Sequence, residues 1–247
     1  MRDALRNVWS GRGSADVGRP SRLCVGVLAI AASALGLFWD IEPSVADPPT
    51  TGTLAGSVTI TRDGAAKADR SGVVVYLEGV PGALPDTSRV REIRQKNLSF
   101  NPGLMVIVKG TTVAFPNDDL VFHNVFSLSK AAKFDLGLYK GGTSKSVTFK
   151  QAGVVDIYCN IHPQMVTKIK VLDTGYFGVT ASDGTFRIPN VPAGTYPVVA
   201  WQASGEEFHG ATTVAAGGTA TLTIALIERQ APRTHLRKDG TPYGRYQ

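Results

Sequence analysis

Residues 158–165 read Tyr-Cys-Asn-Ile-His-Pro-Gln-Met and set Cys159, His162 and Met165 at three-residue intervals. Cys159 is the only cysteine beyond residue 25. A thiolate, an imidazole and a thioether make a soft donor set; zinc is seldom bound by methionine, whereas copper accepts thiolate and thioether. A trigonal blue-copper arrangement needs two histidines and one cysteine in the plane, with a long, weak methionine on the axis. One histidine is missing from the loop. His123, 36 residues upstream in Val-Phe-His-Asn-Val-Phe, is the expected source, since His209 and His235 lie outside this segment. Asn124 beside it is placed to hydrogen-bond across to the cysteine loop and orient the ligands. Pro163 fixes its own φ and stiffens the loop.

Each residue also has a plainer reading. A lone Cys159 is a buried core thiol, and a lone Met165 fills a core. A lone His162 is a polar loop residue. A Cys–His nucleophile pair is the rival chemistry. It leaves Met165 unexplained, and no oxyanion loop is evident. His209, in Glu-Glu-Phe-His-Gly, reads as an exposed loop histidine before it reads as a second metal ligand.

The elements that must carry these residues are strands. The apolar residues are 43% of the 247 and the charged ones 19%, a globular balance. Beyond residue 46 no helical apolar period persists, and short runs bounded by turn signals predict an all-β chain. Expected strands are 56–61, 72–77, 104–108, 112–115, 146–149, 154–158 and 167–172, then 186–188, 196–201 and 219–226. Cys159 ends the strand run Gly153-Val-Val-Asp-Ile-Tyr-Cys, and the two-residue spacers after it let a tight loop turn three side chains toward one point.

Five arginines lead into Leu23–Trp39, 17 residues without a charge. Residues 1–46 read as a cleaved export signal, with an uncleaved anchor helix as the alternative. Both put the rest of the chain outside the cytoplasm, periplasmic or otherwise extracytoplasmic. Membrane contact then comes only through an uncleaved N-terminal segment. After cleavage Cys159 stands alone, and a lone thiol in an oxidising compartment needs protection or a task. Residues 228–247 read as a basic tail. Residues 88–172 hold 12 Lys/Arg against 5 Asp/Glu, a net of +7, whereas 47–87 with 173–247 hold 9 against 11. That excess would steer an acidic partner face; a solvated lysine surface is the competing reading. No pattern suggests nucleic acid.

Residues 88–172 resemble a cupredoxin of the plastocyanin and amicyanin type. The resemblance rests on Ser99-Phe-Asn-Pro, on Val108-Lys-Gly-Thr-Thr-Val-Ala-Phe-Pro-Asn-Asp-Asp, on Phe122-His-Asn-Val and on Gly153-Val-Val-Asp-Ile-Tyr-Cys-Asn-Ile-His-Pro-Gln-Met. It implies a Greek-key β-sandwich with one type 1 copper ion held by His123, Cys159, His162 and Met165. It also implies that the edge of His162 beside Pro163 is the electron exit. The chain is similar as well to exported proteins of the methylamine-utilisation type, which implies an amine-oxidising partner; the sequence shows none. Gly184-Thr-Phe-Arg-Ile-Pro-Asn-Val-Pro-Ala-Gly-Thr-Tyr, with residues 54–64 and 73–79, is similar to the carboxypeptidase regulatory-like, transthyretin-type sandwich. The expected organisation is one small sandwich made of residues 53–80 and 174–227, interrupted by the cupredoxin.

An exported carrier of single electrons between redox partners follows. A copper carrier, store or sensor is the alternative. An enzyme is not expected: a binuclear oxidase-type centre would need two cysteines in the loop, and a nitrite reductase a second copper site.

Overall fold

The computed structural model describes residues 51–82, 84–229 and 235–243. The expected signal or anchor, residues 1–46, lies outside them. Among the described residues no helix is long and apolar enough to cross a membrane. Their regular elements are all strands, as the turn-punctuated pattern predicts.

The first strands are β1 (Thr51–Arg62), β2 (Ala65–Ala66) and β3 (Val74–Leu77). A middle group follows: β4 (Arg91–Glu92), β5 (Arg94–Lys96), β6 (Ser99–Asn101), β7 (Leu104–Val108), β8 (Thr112–Pro116), β9 (His123–Ser129), β10 (Ala132–Tyr139), β11 (Ser144–Thr148), β12 (Gly153–Tyr158) and β13 (Val166–Leu172). The last are β14 (Phe177–Val179), β15 (Thr185–Pro192), β16 (Gly194–Trp201), β17 (Phe208–Val214) and β18 (Thr219–Ile227).

Strands from both ends of the described chain form a terminal sandwich. One sheet runs β15-β1-β18, with β2 on the end of β1, and the other β14-β3-β16-β17. Leu54, Val58 and Ile60 of β1 pack with Phe186, Val198, Ile224 and Leu226 in its core. Strand β1 pairs antiparallel with β15 and parallel with β18 over nine residue pairs, Thr53–Thr219 to Thr61–Ile227.

The middle strands form a central sandwich of a five-stranded sheet, β10-β9-β12-β13-β7, and a three-stranded sheet, β11-β8-β4, with the hairpin β5-β6 beside them. Its core joins Val113 and Phe115 of β8 to Val125, Val155, Ile157 and Ile169, and it includes Cys159 and Met165.

The run Val-Val-Tyr-Leu of β3 is continuous rather than alternating because both faces are covered. Val75 and Leu77 enter the terminal core, while Val74 and Tyr76 join Leu172, Val199 and Trp201 in a third cluster between the sandwiches. Lys170 reaches into that seam, its Nζ 5.0 Å from the Trp201 ring centroid and 5.2 Å from that of Tyr76. Burial lowers the Lys170 pKa, opposed by Glu207. Burial, aided by Glu207 and Glu78, pushes Tyr76 up to about 12.

Strand β7 has the expected bounds, and β8, β12 and β13 differ from theirs by one residue. The short strands β2, β4, β5, β6 and β14 and the longer β9, β10 and β17 are not among the expected ones. In β9 residues 123–127 are all buried, so no alternation marks them. In β10 the register slips between Asp135 and Leu138. Strand β17 is an edge strand whose residues between Phe208 and Val214 are small or polar.

Candidate metal centre

Cys159 follows the end of β12, and the chain turns back at once into β13. Its amide donates to the Met165 carbonyl at 3.2 Å, and the Met165 amide donates to the His162 carbonyl at 3.0 Å. Those bonds close a seven-residue loop on itself and turn the Cys159 and Met165 side chains into the core, where both are 0% exposed. His162 is half-buried at the rim.

His123 opens β9 and is also fully buried. The loop that leads to it is pinned by buried amides. Gln95 Nε2 donates to the Tyr139 hydroxyl at 2.6 Å and to the Phe115 carbonyl at 3.1 Å. Asn117 Nδ2 donates to the Val121 carbonyl at 2.9 Å, and its Oδ1 accepts from the Asp119 amide at 3.0 Å. Asp119 is thereby aimed at His123: its Oδ2 lies 2.8 Å from His123 Nε2. Asp119 also accepts the amides of Asn97 and Leu98 at 2.7 and 3.0 Å. Those two residues turn the β5-β6 hairpin at φ of 54° and 55°. Burial raises the Asp119 pKa, but hydrogen bonds from His123, Leu98 and Asn97 outweigh it and hold the carboxyl below its ordinary value.

A carboxylate can only accept, so it fixes the proton on His123 Nε2 and leaves Nδ1 with a free lone pair. That Nδ1 lies 3.1 Å from His162 Nδ1, and Cys159 Sγ is 3.7 Å from the same nitrogen. Donor atoms of His123, Cys159 and His162 all lie within 4.8 Å of one another. Burial, then the nearby His123, pushes the His162 pKa down, with Asp119 opposing, which favours the neutral imidazole that binds metal. Two nitrogens at this separation can both reach one ion at about 2 Å, as in ordinary metal–imidazole bonds. Two imidazole nitrogens and a buried thiol suit copper.

The model of copper binding proteins of the plastocyanin/azurin family matches residues 88–172. Residues 88–172 form a cupredoxin domain. A second model, polysaccharide lyase family 4 domain II, matches residues 139–222. The overlap, 139–172, contains β11, β12 and β13, which pair with β7, β8 and β9 of the cupredoxin domain. Among solved structures, a copper(I) form of an amicyanin variant is 22% identical, covering 40% of this chain and 98% of that one, with a TM-score of 0.32. A purple cupredoxin from Nitrosopumilus maritimus is 28% identical, covering 33% and 99%, with a TM-score of 0.30. A search of curated proteins returns no match.

The fold brings His123, Cys159, His162 and Met165 into one region of the cupredoxin domain. Asn124 takes a different partner from the expected one. Its Nδ2 donates to Asp135 Oδ1 at 2.6 Å rather than to the cysteine loop, and its buried Oδ1 has no hydrogen-bond partner. Strand β10 runs beside β9 and brings Asp135 within hydrogen-bonding reach of Asn124. Pro163 sits in the loop with its carbonyl accepting from His235 Nε2 at 2.7 Å. His209 is on β17 rather than a loop, 66% exposed and beside Glu207. Asp119 is the residue the sequence reading lacks. Its only sequence signal is a carboxylate four positions before a histidine.

Proposed function

We propose that His123, Cys159, His162 and Met165 hold one type 1 copper ion and that the protein is an exported electron carrier. The observation that carries this reading is the convergence of His123 Nδ1, Cys159 Sγ and His162 Nδ1 within 4.8 Å in a buried setting. When bound, copper supplies a one-electron couple whose potential is tuned by the axial methionine and by packing and hydrogen bonds around the cysteine sulfur. The chain's own residues hold that couple still. Met165 closes the ligand loop through its backbone and fills the core beneath it. Asp119 fixes the tautomer and orientation of His123. Donors placed before the ion arrives favour electron hand-off over a labile carrier, which must open to give up its ion. We read residues 53–80 and 174–227 as one sandwich interrupted by the cupredoxin domain, with a docking or supporting role and no catalytic residues.

Titrating the purified protein with Cu(II) tests the site. An intense visible thiolate-to-copper band is expected, lost in Cys159→Ala; a colourless protein in excess Cu(II) overturns the reading.

The electron leaves at the rim, where His162 is half-buried. Leu120, Val121 and Phe122 stand exposed on the loop entering His123 and offer an apolar contact for a brief encounter. With a net of +7 over 88–172, an acidic redox partner is favoured. Association rates with such a partner are expected to fall as salt rises; rates indifferent to salt count against steering.

A further inference from the structure

Residues 235–243 return from beyond β18 to the ligand loop. His235 stacks on Tyr158, with ring centroids 4.2 Å apart and planes at 23°. Its Nε2 lies 2.7 Å from the Pro163 carbonyl oxygen. The Lys238 amide donates to Asn160 Oδ1 at 2.9 Å, and the Tyr243 hydroxyl donates to the Cys159 carbonyl at 2.5 Å. The segment is braced internally. Tyr243 meets His235 edge-on at 5.1 Å, and the Arg237 guanidinium lies 5.4 Å from the Tyr243 ring centroid. The Arg237 amide donates to the Thr241 carbonyl at 2.9 Å, closing a turn. Lys238 Nζ also pairs with Asp135 Oδ2 at 2.6 Å, and Asp135 Oδ1 holds Asn124 beside His123.

We propose that residues 235–243 are a strap that positions the ligand loop, with His235, Lys238 and Tyr243 as its three anchors. The inference rests on the copper reading of that loop. The loop's own backbone bonds tie Cys159 to Met165 and Met165 to His162. The carbonyls of Cys159 and Pro163 and the side chain of Asn160 point away from those bonds and are taken up by the strap. It therefore grips position 159 at the cysteine itself, 160 between the cysteine and histidine, and 163 just after the histidine. The strap holds Cys159 and His162 in ligating geometry before metal arrives and slows its release afterwards. Through Asp135 it reaches the His123 side of the site as well.

Amide hydrogen exchange on the metal-free full-length protein tests the strap without copper. The comparisons are a chain ending at Arg229 and the full chain with Tyr243→Phe, which keeps the ring and loses the hydroxyl, with its bond to the Cys159 carbonyl and its 3.4 Å contact with His235 Nδ1. Each hydrogen bond changes a local opening equilibrium a few-fold. The Cys159 and Met165 amides are expected to exchange roughly tenfold faster without the strap and a few-fold faster in Tyr243→Phe. Amides of β1 and β16 should stay unchanged. In the copper-loaded protein, copper passes to excess chelator roughly tenfold faster without the strap. Tyr243→Phe is expected to change the reduction potential, because hydrogen bonding near the cysteine is one of its determinants. Unchanged exchange at Cys159 and Met165, or an unchanged potential in a copper-loaded Tyr243→Phe protein, overturns the proposal. If the full-length protein takes up no copper while strap loss still speeds exchange, loop positioning is supported and the copper reading falls instead.

Discussion

Asp119 accepts three donors at once: His123 Nε2 and the amides of Asn97 and Leu98. Asp119→Ala leaves all three without that partner. Losing a group that orients a ligating histidine costs about 10- to 100-fold in metal affinity, and such a loss is expected here in competition titrations with copper. Asp119→Asn keeps one acceptor and should fall between. Unchanged affinity in Asp119→Ala would mean that packing alone holds His123. The proposed donors were legible because Cys159, His162 and Met165 share seven residues of sequence and His123 is the remaining histidine of the same segment. Asp119 was not, because its role depends on a hairpin turn more than 20 residues upstream. Two non-glycine residues at positive φ form that turn, and nothing local in the sequence aims it at the site.

The turn between β10 and β11 shows how an element sets the site from outside it. A Cβ added at Gly141 would lie 2.0 Å from the Asp119 carbonyl oxygen. The next residue, Gly142, donates its amide to the Asn117 carbonyl at 2.8 Å. The turn is thus pressed against the loop that carries Asp119. Gly141→Ala must push that loop away and with it the support of His123. It should lower stability by about 1–3 kcal/mol in denaturant unfolding, and copper affinity at least tenfold. An unaltered visible spectrum and midpoint would show that the loop yields without consequence. Elements were legible where one face is wet, as in Val113 and Phe115 of β8. They were obscure where burial removes alternation, as in His123–Ser127, or where Gly137 at φ 65° interrupts the pattern.

At the scale of the molecule, the end of β18 is tied to β1 by a buried carboxylate. Glu228 is 8% exposed and pairs with Lys67 at 2.5 Å and with Arg62. Burial raises its pKa, but Lys67 and Arg62 outweigh that and hold it below the ordinary 4.5. A depressed carboxyl pKa contributes stability that is fully present above the unfolded value and is lost as pH falls through the folded one. The unfolding free energy should therefore drop on acidification below about pH 4.5, and more steeply than in Glu228→Gln. Parallel acid profiles would remove Glu228 from the account. The tie it makes lies just past the last of nine parallel pairs between β1 and β18. Tension applied at Thr51 and Ile227 would run in opposite directions along those neighbouring strands. Every rung would then bear load together in shear instead of unzipping one by one. The cupredoxin domain, threaded between β3 and β14, would stay off that load path so long as the force enters at Ile227, ahead of residues 235–243.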